Sequence, residues 1–298
     1  MTLSHETAIG LQLDRAGTSC KAEPRPKNGT PVMSSSTGWR IVDRSPEAAE
    51  RYLETATRLL DVMKRKSIDM LRLQPDARVL DVGCGVGRDA EAILEQVGAA
   101  GWVVGIDASR QLIAKAIERT QARSRRPDFR VGDALALDFA ADTFDACRID
   151  RVLQHLHEPA RGVAEMARVT RSGGRLCAHE PDWHTMAIAG GDARGAQAIA
   201  RQQAFVATCQ GDIGRRLIQL LMDAGCNDVE VGAKVLLLRD LGTADAMFQI
   251  RARLDAAVTD GAVARDAGEA WWRAVQDLDA RGRFYASVNG VICAGTVQ

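Results

Sequence analysis

The run Arg78-Val79-Leu80-Asp81-Val82, followed directly by Gly83-Cys84-Gly85-Val86-Gly87, constrains this chain more than any other feature. A buried strand that ends in alternating glycines and gives way to a helix near Val86 turns backbone N–H groups, and the positive end of a helix dipole, toward one edge of a sheet. Such an edge binds something polar. Glycines alone equally fit a tight strand-to-helix turn without a ligand, so the surrounding sequence has to decide.

Beyond the loop, strand and helix patterns alternate. Strands are predicted at Trp102 to Asp107, Asp128 to Gly132, Ala146 to Asp150 and Arg175 to Glu180, with helices opening near Ser109 and Pro159. A further helix from Ile213 to Ala224 stops at Gly225, a C-cap residue, and leads to a strand from Asp228 to Leu238; the last strand is Phe284 to Ala294. This order is that of a mostly parallel sheet with helices on both faces, a Rossmann-like α/β fold. Upstream, Ser45-Pro46 opens a helical pattern in which Tyr52, Leu53, Leu59, Leu60, Met63, Ile68 and Leu71 recur every three or four positions, predicting two helices or one bent one over about 45–73. Residues 1–37 mix Pro, Gly, Ser and charge without apolar period and are expected to be a disordered tail, leaving 38–298 as one domain. Two stretches, about 183–211 and 243–280, break the alternation and are read as helical lid insertions near the mouth of the site.

Composition excludes several classes of partner. The 39 basic and 39 acidic side chains cancel, so no cationic excess is available for a phosphate backbone, and nucleic acid is not expected. No stretch approaches the ~18 uncharged apolar residues of a membrane span, and the N-terminus is charged where an export signal needs an apolar run. Seven scattered cysteines without a C-x-x-C pair fit neither a disulfide framework nor a metal site. The expectation is a cytoplasmic monomer or homodimer that acts on a small molecule without a metal or a membrane.

The loop has two possible ligands. Gly85-Val86-Gly87-Arg88-Asp89-Ala90 satisfies the dinucleotide pattern G-x-G-x-x-G/A, with Asp107 about 20 residues on. Asp81 weighs against that ligand, because a carboxylate beneath the loop repels a pyrophosphate and attracts the ammonium of a methionine moiety. Asp81 therefore favours S-adenosylmethionine (SAM) over NAD. Asp107 ends the second strand, where a carboxylate can accept from both ribose hydroxyls, and Asp133 follows the third beside Ala134, placed to accept from an adenine amino group. Any one of these acids could equally be the N-cap of the next helix.

These residues carry a resemblance. From about 45 to 183 the chain resembles the small-molecule class I SAM-dependent methyltransferases of the ubiquinone and menaquinone biosynthesis type. The matching residues are Val79 to Gly87, Val104-Gly105-Ile106-Asp107-Ala108-Ser109, Gly132-Asp133-Ala134, Phe144-Asp145 and Pro159 through Arg175. The resemblance implies a seven-stranded sheet whose last strand is antiparallel, with Gly83, Cys84, Gly85 and Gly87 under the methionine part of SAM. It implies Asp107 on the ribose and Gly132, Asp133 and Ala134 near the adenine, with Ala108 and Leu112 in the same cofactor-binding set. It also implies that an N-terminal helix bearing Tyr52 closes over the cofactor. The chain departs from the family after the fourth strand, where Val152-Leu153-Gln154-His155-Leu156 replaces the frequent Leu-His-His run and Arg148 stands in the strand itself. A guanidinium beside a sulfonium is unfavourable unless paired, so Arg148, counted with the cofactor-binding residues, is expected to meet Asp150 or an acidic substrate group.

Methyl transfer is an in-line displacement in which positioning is the main task, and a base helps where the acceptor must lose a proton. His155 and His157 follow the fourth strand; Glu180, Asp182 and His184 follow the fifth. His184 or Glu180 is the expected base, with His155 the third candidate. Trp183, Trp271, Trp272, Phe205 and Phe248 fit an apolar acceptor pocket and fit an ordinary core as well. The expected reaction moves the SAM methyl group to an O, C or N atom of a small, partly apolar metabolite, secondary metabolites included, leaving S-adenosylhomocysteine. Two alternatives stay open: a SAM-binding protein of this fold that catalyses a cyclisation or rearrangement, and an NAD-dependent oxidoreductase.

Overall fold

The computed structural model describes residues 46–190 and 210–298, with side chains described from Thr55 onward apart from Thr57. The predicted tail over 1–37, most of the 183–211 stretch, Phe205 and the side chain of Tyr52 lie outside the described residues. In chain order the elements are α1 (Pro46–Asp69), β1 (Arg78–Val82), α2 (Arg88–Gln96), β2 (Trp102–Asp107), α3 (Arg110–Thr120), β3 (Asp128–Val131) and β4 (Phe144–Asp150). A 3-10 turn (Leu153–His155), α4 (Pro159–Val169) and β5 (Thr170–Ile188) follow. Beyond residue 210 come α5 (Ile213–Asp223), β6 (Cys226–Leu238), α6 (Leu241–Phe248), α7 (Ile250–Thr259), α8 (Arg265–Ala280) and β7 (Ala286–Val297).

The strands form one seven-stranded sheet in the order β3-β2-β1-β4-β5-β7-β6. Strands β1 to β5 run parallel, and β7 is antiparallel to both of its neighbours. The chain leaves β1 toward β2 and β3, then returns to the other side of β1 with β4. The crevice past the C-terminal ends of β1 and β4 is therefore a topological switch point, where open α/β sheets bind ligands.

Strand parity sorts the side chains into two layers. Val79, Ala146 and Cys177 face a core built with α1, α2 and α6 to α8, whereas Leu80, Cys147 and Leu176 face a core built with α4 and α5. Each large apolar side chain buried this way contributes on the order of 1.5–3 kcal/mol. The same alternation places Asp81 and Arg148 on the α1–α2 side, and Glu180 on the α4–α5 side. No described helix is long and apolar enough to cross a membrane.

The structure corrects two sequence boundaries. Strand β5 does not stop at Glu180 but continues to Ile188, pairing Pro181 with Gly290 and Asp182 with Asn289 of β7. Its polar residues resemble a loop in the sequence because their partners are distant; Arg215 of α5 grips both oxygens of Asp182 at 2.6 and 2.9 Å, and Glu180 accepts from the N–H groups of Val152 and Leu153. Residues 183–188 are accordingly strand and not insertion. The 45–73 region is one helix, α1, and 243–280 is covered by α6 to α8, which bury Phe248 and Trp271 in the α1-side core.

Candidate functional site

The glycine loop is held open from two sides. The N–H groups of Gly83 and Cys84 both donate to the Ile106 carbonyl, at 2.7 and 2.9 Å, which fastens the loop to the end of β2. Gly83 (φ +72) packs so closely that a Cβ there would lie 2.1 Å from Val152 Cγ2. Gly85 (φ +56) is the opposite case: an added Cβ would meet nothing within 4 Å, so the face of the loop at this residue is open. Gly87 forms the N-cap of α2 and supplies no side chain to cap it. Asp107 closes the other wall, its Oδ2 accepting from Gly85 N–H at 2.9 Å and its Oδ1 from Ser109 N–H at 2.8 Å. Burial raises the Asp107 pKa against these two hydrogen bonds. Each oxygen has a lone pair to spare.

Beneath the loop lies a buried charge cluster. Asp81 and Arg148, adjacent in register on β1 and β4, are each 1% exposed. Arg148 Nη1 donates to Asp81 Oδ1 at 3.0 Å, Nη2 donates to Asp89 Oδ2 at 3.1 Å and to Asp150 Oδ2 at 2.5 Å, and Nε donates to Ser67 Oγ at 2.9 Å. Lys64 of α1 pairs with Asp89 and lies 3.7 Å from Asp150 Oδ2. His179 Nδ1 is 3.3 Å from Asp150 Oδ1. Burial disfavours ionisation of all three acids. For Asp89 the cations Arg148 and Lys64 outweigh it and hold the carboxyl below its usual value; for Asp150 Lys64, His179 and Arg148 do the same, more strongly. For Asp81 burial wins over Arg148, with Asp89 adding to it, and the pKa rises from 3.8 to about 6. Asp81 Oδ2 is buried and has no hydrogen-bond partner.

Arg148 is thus placed differently from the sequence expectation. It meets Asp150 as expected, and Asp81, Asp89 and Ser67 as well, so all three of its nitrogens donate to protein groups. Asp133 is exposed and accepts from Leu135 N–H at 2.9 Å, in a turn directly after β3. Gly132 and Ala134 flank it, partly buried. Ala108 is exposed past the end of β2, and Leu112 is buried in the first turn of α3, its N–H donating to the Ser109 hydroxyl at 3.3 Å. The Cys84 thiol is pushed up by burial and by Asp81, and stays protonated.

The three proposed bases are not brought together. Glu180 is 0% exposed on the α4–α5 face of β5, and its Oε1 accepts from the N–H groups of Val152 and Leu153 at 2.8 and 2.6 Å. Burial pushes its pKa from 4.5 to about 8, against those two hydrogen bonds and with Asp150 adding to the rise. It anchors the turn after β4, whose Val152 wedges against Gly83. His184 is exposed in the distal half of β5 because the strand runs on past it. His155 sits in the 3-10 turn, where burial and then Arg151 lower its pKa from 6.5 to about 4. Trp183 donates to Gln154 Oε1 at 2.8 Å and meets Phe248 edge-on, 6.0 Å between centroids. Sequence reasoning missed Lys64, Ser67 and Asp89. The available signal was parity: Asp81 shares the Val79 face, so its partners had to come from the helices covering that face.

Comparison with known proteins adds an independent line. Residues 79–174 match the family described as a methyltransferase domain. The chain is 34% identical over 225 residues to an uncharacterized 37.1 kDa protein in a transposon of Streptomyces fradiae, covering 76% of this chain and 64% of that one. It is 34% identical over 119 residues to the demethylmenaquinone methyltransferase of Corynebacterium efficiens, covering 40% of this chain and 48% of that one. The chain therefore spans about half to two thirds of the length of these curated relatives. Among solved structures, the YcgJ protein of the genus Bacillus superposes with a TM-score of 0.56 at 18% identity, covering 81% of this chain and 98% of that one, which establishes a shared fold.

Proposed function

We propose that the chain is a class I SAM-dependent methyltransferase that transfers the SAM methyl group to a small-molecule acceptor, a reading supported by the methyltransferase-domain match over residues 79–174 and the similarity to a demethylmenaquinone methyltransferase. The observation that carries this reading is Asp81 Oδ2, a buried carboxylate oxygen without a partner beneath a glycine loop whose Gly85 face is open. An acceptor-only wall of this kind fits a cationic ammonium and does not fit a pyrophosphate. In this reading Asp81 holds the ammonium, the spare lone pairs of Asp107 take the ribose hydroxyls, and Asp133 with Gly132 and Ala134 borders the adenine. Gly83, Cys84, Gly85 and Gly87 line the methionine part, with Ala108 and Leu112 beside the ribose wall and Tyr52 on the helix that covers it. Bound SAM supplies an electrophilic methyl on a sulfonium with a neutral thioether leaving group.

Two of the three acid–base candidates support positioning over proton transfer. Glu180 is tied to backbone N–H groups, and His155, held near 4, takes up a proton poorly at neutral pH. We infer an acceptor that arrives already nucleophilic at an O, C or N atom, in a cytoplasmic monomer or homodimer whose domain spans 38–298. Calorimetry should detect SAM and S-adenosylhomocysteine but not NAD, and labelled-methyl assays over phenolic, amine and quinol acceptors should find transfer. Tight SAM binding with no transfer to any acceptor would point to a cyclisation or rearrangement; stabilisation by NAD alone would overturn the cofactor assignment.

A further inference from the structure

The four donor contacts of Arg148 join groups on four different elements. They reach Asp81 on β1, Asp150 on β4, Asp89 on α2 and Ser67 on α1. Ser67 is fully buried, and its hydroxyl donates to the Lys64 carbonyl at 2.7 Å while accepting from Arg148, so both of its roles are used. Lys64 closes the circuit by pairing with Asp89, the acid that Arg148 also holds. A planar fork can bridge three carboxylates and a hydroxyl at once; an ammonium cannot.

We propose that Arg148 is a positioning residue for the ammonium of the cofactor: it occupies Asp81 Oδ1, fixes that carboxylate with Oδ2 left over, and makes the seating of helix α1 part of the same arrangement. The proposal rests on the SAM reading above. Its physical content is that Asp81 cannot be a good ammonium ligand alone. The groups facing it are Arg148 from β4, Lys64 from α1, Asp89 from α2 and the Cys84 thiol from the loop. Of these only Arg148 and Lys64 are cationic, and only Arg148 touches the carboxylate. When its fork is lost, burial and Asp89 act on Asp81 unopposed at close range, so the acid takes up a proton at higher pH and the ammonium loses its counter-charge. Ser67 and Lys64 carry the same dependence to α1: a helix that does not seat leaves Arg148 free to swing from Asp81.

The test uses the full chain, with S-adenosylhomocysteine as probe, calorimetry as readout, and the variants Arg148→Lys, Asp81→Asn and their combination between about pH 6 and 8.5. Arg148→Lys should weaken binding about tenfold at pH 7, with the loss narrowing toward pH 8.5 as Asp81 ionises. The loss should shrink below about threefold in the Asp81→Asn background, because the arginine acts through that carboxylate. Should Arg148→Lys fail to fold, Ser67→Ala removes only the Nε acceptor and should give a smaller loss that also vanishes with Asp81→Asn. Losses that are additive and independent of pH overturn the proposal and make Arg148 merely structural, while weakened binding by Asp81→Asn alone leaves the cofactor reading standing. A wild-type chain that binds no probe overturns the cofactor reading and this proposal together.

Discussion

Glu180→Gln should change the pH dependence of stability in a way that discriminates a neutral buried acid from a charged one. In the folded chain the carboxyl is fully buried and its pKa is raised from 4.5 to about 8. A raised acid binds its proton more firmly in the folded state, so its contribution is fully present below pH 4.5, falls between 4.5 and 8, and is flat above. Between pH 5 and pH 7 the unfolded carboxyl ionises while the folded one stays protonated, and wild type should lose roughly 2–3 kcal/mol to this group. Glutamine does not titrate, and its carbonyl can still accept from Val152 and Leu153 N–H. Its amide nitrogen replaces Oε2, an atom that has no partner already, so the two proteins should be within about 1 kcal/mol of each other at pH 5. Urea unfolding of both proteins at pH 5, 6, 7 and 8, compared as a difference, cancels every other titrating group. The variant should gain about 2–3 kcal/mol on wild type from pH 5 to 7. A difference that is the same at every pH would mean Glu180 is ionised throughout, and the burial argument would be wrong.

Three further outcomes follow from the loop. Asp107→Ala should weaken S-adenosylhomocysteine more than tenfold by calorimetry, at about 1.5–3 kcal/mol per hydrogen bond to a charged group; unchanged affinity would remove Asp107 from the ribose wall. Gly83→Ala places a Cβ 2.1 Å from Val152 Cγ2 at φ +72, so thermal unfolding should show a loss of roughly 1–3 kcal/mol, partly restored by Val152→Ala. No rescue would mean that backbone strain and not the clash sets the cost. Gly85→Ala meets no atom within 4 Å and should cost only about 1 kcal/mol for its left-handed backbone, yet reduce cofactor affinity, because the methyl group fills the open face. Equal affinity would mean the cofactor does not cross Gly85.

The sequence disclosed what depends on local pattern. Strands β1 and β2 begin and end where their apolar runs do, and α3 starts at the Ser109 cap, whose hydroxyl accepts from Leu112 N–H. It concealed what depends on distant pairing. Glu180, Asp182 and His184 read as a polar segment past the end of a strand, and only the Arg215 contact and the antiparallel β7 register make strand of it. Nothing local marks Lys64 and Ser67, since the sequence does not distinguish a polar helix residue facing water from one that, like Ser67, faces a buried arginine 81 positions away. The glycine spacing announced a tight turn, but not that Val152 would fill the space at Gly83. Asp81 and Asp107 were legible because each stands at or one residue before the end of a strand, which is a local property.

The choice between SAM and a dinucleotide began from the charge of Asp81, and Arg148 could have reversed it. An exposed guanidinium at the end of β4 would draw a pyrophosphate into the same loop and cancel the repulsion of the acid. The structure removes that possibility through geometry: Arg148 is 1% exposed and contacts Asp81, Asp89, Asp150 and Ser67, so its charge is spent on acids before reaching the loop. Lys64 is likewise turned to Asp89 and Asp150, and Arg151 lies 3.5 Å from Asp150 Oδ1. What remains for a ligand is the partnerless Asp81 Oδ2 below and the carboxylate of Asp107 beside it. Both are acceptors, and acceptors suit an ammonium and two hydroxyls. The arginine that seemed out of place in a cationic cofactor's site therefore leaves the preference for a cation intact, because it neutralises the surplus of buried acid and leaves one carboxylate oxygen over.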